Sequence, residues 1–126
     1  MSLTPLQLKR KQFTERLRGW ILSILYFNRP DPAEWTLLSN SLDQVNSGVS
    51  RHVLAIELSF LVSHKLVRVF PIGASNDLTD NEQQQLLQRC ARDEEVAVTV
   101  CAWIRTEGIN FVEGLEEISG VQRVRR

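Results

Sequence analysis

With 126 residues, the chain has the length of one domain able to bury a core without disulfide or metal staples. Its 43% apolar and 24% charged residues exclude a disordered or low-complexity chain. The formal net charge is zero but uneven: residues 1–30 hold Lys9, Arg10, Lys11, Arg16, Arg18 and Arg29 against Glu15 alone, so a segment of +5 is offset by −5 over the remainder.

The first predicted element is a helix over 4–27. Thr4-Pro5 marks its start, because proline in a first turn has no hydrogen bond to lose. Phe13, Leu17, Trp20, Ile21, Ile24 and Leu25 recur at helical spacing and form one apolar face, and Arg29-Pro30-Asp31-Pro32 stops the helix. The apolar run 20–27 is far short of the ~20 residues of a membrane span and lies too deep in the chain for a signal peptide. The expected location is therefore the cytoplasm.

Asp31-Pro32-Ala33-Glu34 reads as the start of a second helix, with Asp31 as cap and Glu34 returning a bond; Trp35, Leu38, Leu42 and Val45 follow at spacings of three and four. Asn46-Ser47-Gly48 reads as a tight turn, with Ser47 or Ser50 capping a third helix over 49–64. A strand is expected over 66–71. Thr79 and Glu82 match a capping box for a helix over 79–92, whose Leu86, Leu87 and Cys90 form a narrow apolar stripe. Residues 95–104 alternate as a strand with Val96, Val98, Val100, Ala102 and Ile104 inward; 106–114 forms a last short helix and 115–126 a tail.

The order implies a mainly α, α+β fold as a single domain over 1–126. Its architecture is a winged helix-turn-helix: three helices, a two-stranded wing with a helical insert between the strands, and a short C-terminal helix.

From about Ile21 onward the chain resembles a family of small winged-helix proteins of Mu-like phages and prophages. The resemblance is carried by Ile21-Leu22-Ser23-Ile24-Leu25, Val49-Ser50-Arg51, Leu58 with Phe60 and Leu61, Leu66-Val67-Arg68-Val69, the block Glu107-Gly108-Ile109-Asn110-Phe111-Val112-Glu113-Gly114, and Ser119-Gly120-Val121-Gln122-Arg123. It implies a phage protein with a winged-helix fold and DNA binding, without an assigned activity. The sequence departs from the family at the wing, where residues 72–94 separate the strands, and at Ile104-Arg105, where the family enters its last helix with Leu-Thr.

In such a fold the start of the third helix faces base edges, which makes Ser50, Arg51 and His52 the candidate readers, arginine suiting guanine. Lys9, Arg10 and Lys11, with Arg123, Arg125 and Arg126, are the candidate phosphate contacts. Leu54, Leu58 and Leu61 form the core face of the third helix, while Val49, Val53, Ile56 and Phe60 form a second apolar stripe. A helix apolar on two faces is covered on both, so this stripe is either packed under the same chain or forms a partner interface.

No metal site, nucleotide loop or nucleophile–base grouping is discernible. His52 and His64 lie on different sides of one helix, and Cys90 and Cys101 lack metal-ligand spacing and read as reduced thiols. The sequence therefore predicts a non-enzymatic protein with no cofactor and no small-molecule ligand. Its expected partner is double-stranded DNA, with a regulatory role. The alternative is a module that docks a phage or host protein, or a second copy of itself, without sequence-specific DNA binding.

Overall fold

The computed structural model describes residues 2–45 and 49–124. The first helix, α1 (Pro5–Phe27), is locked at its start by a full capping box: the Gln7 amide N–H donates to the Thr4 hydroxyl and the Thr4 N–H to the Gln7 side chain. Its first half is exposed, Phe13 included, and from Leu17 onward it enters the core with Ile21, Leu22, Ile24 and Leu25.

The segment 31–34 corrects an expectation. It does not open a helix; β1 (Ala33–Glu34) is a two-residue strand, and α2 (Trp35–Val45) begins only at Trp35. The physical reason is competition for the same backbone. The Asn28 side-chain amide donates to the carbonyls of Asp31 and Pro32, and Ala33 is buried opposite Ala102. The expected turn at Asn46-Ser47-Gly48 lies outside the described residues.

Ser50 caps α3 (Arg51–Ser63) by accepting from the Val53 amide. Its end is a Schellman turn, with Leu66 N–H to Leu61 carbonyl and Lys65 N–H to Val62 carbonyl, and Lys65 takes the left-handed conformation. This tight exit leads at once into β2 (Val67–Pro71). Thr79 and Glu82 form the expected capping box on α4 (Asp80–Arg92). The strand expected over 95–104 is shorter. Asp93 accepts from the Glu95 amide and starts a helical turn, α5 (Glu94–Ala97), so only β3 (Val100–Ile104) is extended. The local cap outcompetes the alternating valines, and Val98 is left exposed. The last helix, α6 (Thr106–Val112), closes on a second Schellman turn at Gly114, whose φ of +83° suits glycine.

The described residues thus form an α+β fold of six helices and one antiparallel sheet, in strand order β1-β3-β2. Three strands, not the expected two, make the sheet. Val67, Val69, Val100, Ala102 and Ile104 face the core beside Leu38, Leu42, Leu54, Leu58 and Phe111. The segment 115–124 is not a loose tail: Val121 is buried, and the Gln122 amide donates to the Glu15 carbonyl. That approach explains a glycine inside α1, because a Cβ on Gly19 would lie 1.8 Å from the Gln122 carbonyl oxygen.

Candidate functional site

α3 lies between α1 and α4, and this sandwich decides the fate of every residue expected on its surface. The Ser50 hydroxyl is exposed but serves as the helix cap. Arg51 is half-buried and lines a hollow of about 320 Å³ with Trp35, Asn40 and Glu94, so it lies against α2 and α5; its Nε is buried without a hydrogen-bond partner. Of the three candidate base readers, His52 is exposed and takes no part in the helix cap. It lines a groove of about 410 Å³ between α3 and α4, together with Ile56, Gln84, Gln88 and Arg92.

The second apolar stripe is divided. Val49, Val53 and Phe60 are partly buried against the core, whereas Ile56 is 50% exposed. Phe60 is covered by the Arg18 guanidinium, 3.5 Å above its ring, and by the stacked His64 ring. Internal burial therefore accounts for three of the four residues.

Arg18 itself is not a free cation. Its Nε donates to Glu57 at 2.6 Å and its Nη1 to the Gly120 carbonyl at 2.9 Å, joining α1, α3 and the C-terminal segment. Lys9 and Arg10 are exposed on the first half of α1 and outside any ion pair with a described carboxylate; Lys11 pairs with Glu15 at 3.4 Å in the open, which is worth little. Arg123 uses all three guanidinium nitrogens within the chain, on the Phe111 and Glu116 carbonyls and the Glu117 carboxylate, so it is a brace for the segment after α6. Arg125 and Arg126 lie outside the described residues.

A second concavity, of about 640 Å³, lies on the other side of the sheet and gathers residues that the sequence reading did not single out. Arg29, Arg68 and Arg105 line it with Trp103, Asn76 and Glu107. These positions are scattered along the chain, and each alone reads as a solvated charge. The one available signal was the register of β3, which puts Trp103 on the face opposite Ala102 and Ile104.

Cys90 and Cys101 are unbridged, buried thiols. Burial pushes both up to about 11, with the Glu34 carboxylate adding to the rise at Cys101, so both stay protonated and unreactive near neutral pH. Among the described residues no group of three metal-ligating side chains occurs, and no helix is long and apolar enough to cross a membrane. Comparison with known protein families, characterised proteins and solved structures finds no match.

Proposed function

We propose that the chain is a winged-helix DNA-binding protein of the Mu-like phage type, a regulator working on duplex DNA in the host cytoplasm. One observation carries the reading. In chain order α2 and α3 precede β2, which pairs antiparallel with β3 across the α4–α5 insert, and β3 also holds β1. The exposed cations of α1 supply phosphate contacts, with Lys9 and Arg10 leading. His52 approaches the bases, while Arg51 lies in the hollow toward α2 and α5.

The test is fluorescence anisotropy with random duplex DNA at two salt concentrations. Affinity falls by about 10- to 100-fold between roughly 50 and 200 mM salt, as expected for a few phosphate contacts. Reversing Lys9 and Arg10 to Glu weakens binding by about tenfold or more at the lower salt. Absence of any complex at micromolar protein rejects the reading.

The exposure of Ile56 beside the α3–α4 groove favours a second reading, in which this surface docks a protein or a second copy of the chain. Light scattering distinguishes the two. An oligomer that Ile56→Asp converts to a folded monomer supports docking, and a DNA-binding monomer at high concentration from which pull-downs in infected cells recover no partner discards it.

A further inference from the structure

The cleft on the outer side of the sheet brings three guanidinium groups together from distant parts of the chain. Arg29 follows α1, Arg68 is in β2, and Arg105 lies between β3 and α6. None of the three is ion-paired with a described carboxylate, and Glu107 is the only acidic residue in the lining. Three guanidinium groups against one carboxylate leave the lining with a net positive charge, which favours a visiting anion.

Two of the three are already aimed. Arg29 Nε donates to the Tyr26 carbonyl at 2.9 Å, and its guanidinium lies 3.9 Å from the Tyr26 ring centre. Arg68 Nε donates to Asn76 at 2.8 Å and its Nη2 to the Leu78 carbonyl. The Arg105 side chain makes no hydrogen bond or ion pair with the described residues, which leaves its fork open to an incoming ligand.

Trp103 supplies the other half of the chemistry. It is the direct cross-strand neighbour of Arg68, and it is 40% exposed although the adjoining Ala102 and Ile104 are buried. An exposed indole beside unpaired arginines offers a stacking face next to anion donors. The volume, about 640 Å³, lies within the ~300–1,000 Å³ typical of small-molecule clefts and is generous for a bare phosphate.

We propose that this cleft binds a nucleotide, with its phosphate on Arg68 and Arg105, assisted by Arg29, and its base stacked on Trp103. The nucleotide comes either free or as one unit of a single strand. The site is separate from the α1 and α3 contacts with duplex DNA and goes beyond the sequence expectation of no small-molecule ligand.

The full chain is titrated with ATP and, separately, with a short oligothymidylate, following tryptophan fluorescence and binding heat. Saturable quenching is expected with at least one probe: ATP identifies the free nucleotide, and the oligonucleotide alone identifies the single strand. Trp103→Leu abolishes the quench. Arg105→Gln weakens binding by about tenfold or more with an unchanged melting temperature, because that side chain bonds to none of the described residues. Reversal of Lys9 and Arg10 leaves this binding intact. The proposal is overturned if neither probe binds at millimolar concentration, if Trp103→Leu and Arg105→Gln bind as the parent does, or if binding disappears only in the α1 variant.

Discussion

Glu57 is 5% exposed and shows how one residue ties three parts of the chain together. Its charge is tolerable because Arg18 Nε donates to it at 2.6 Å, while the same guanidinium binds the Gly120 carbonyl and covers Phe60. A carboxylate within Ile56-Glu57-Leu58 is visible in the sequence as a charge inside an apolar run. Its partner lies 39 positions away, and no periodicity connects them. Removing one member of a buried pair leaves the other charge desolvated and alone. Glu57→Ala therefore destabilises by about 3 kcal/mol. The double variant Arg18→Met/Glu57→Leu recovers most of that loss, and urea denaturation reads both. A Glu57→Ala loss below ~1 kcal/mol, the range of exposed pairs, would show that the bridge is solvated.

Among the elements, α4 departs most from a simple wing. It packs along α3, where Gln84 bonds the Ser59 hydroxyl and carbonyl, and it reaches the free edge of β2. Gln83 makes that second contact: it is fully buried, accepts from the Val69 amide at 3.0 Å and donates to the Leu78 carbonyl. One side chain thus satisfies an edge strand that would otherwise present an unpaired N–H. Gln83→Leu keeps the size of the side chain but orphans the Val69 amide, at a cost of about 1–3 kcal/mol. Faster hydrogen exchange at Val69 than at Val67 would locate the loss; unchanged exchange at both would place the cost elsewhere. The α4 helix was legible because its Thr79–Glu82 box and its Leu86, Leu87, Cys90 stripe are local signals. β1 was not, since a two-residue strand is too short to have a period and exists only because β3 lies beside it. α5 was hidden by valines whose alternation imitates a strand.

At the scale of the whole molecule, the two thiols report whether the insert and the sheet unfold together. Cys90 is in α4 and Cys101 in β3, and both are shielded. In urea at pH 8, a thiol reagent should modify both at one denaturant midpoint, as one cooperative unit requires. Cys90 reacting well before Cys101 would make α4 an independently opening lid. The same groups give the alkaline limb of stability. Because the folded state raises each thiol from 9.0 to about 11, the unfolded chain releases these protons first. This contribution is complete below pH 9, falls as the pH rises toward 11, and should be absent in the Cys90→Ala/Cys101→Ala variant, as denaturation at stepped pH would show.

Local chemistry written in consecutive residues determined most of the helices. The caps at Thr4, Ser50 and Thr79, the apolar spacing of α1 and α3, and the β2 strand all act within a few positions of themselves. Only the tertiary structure decided which of those surfaces remain open. It drew Arg18 and Arg123 into internal braces, turned Arg51 toward α2, and gathered Arg29, Arg68 and Arg105 around Trp103. The difference is physical. Helix formation and capping are settled by neighbours along the backbone, whereas burial, ion pairing and the shape of a cleft are settled by residues that meet only when the chain has closed on itself.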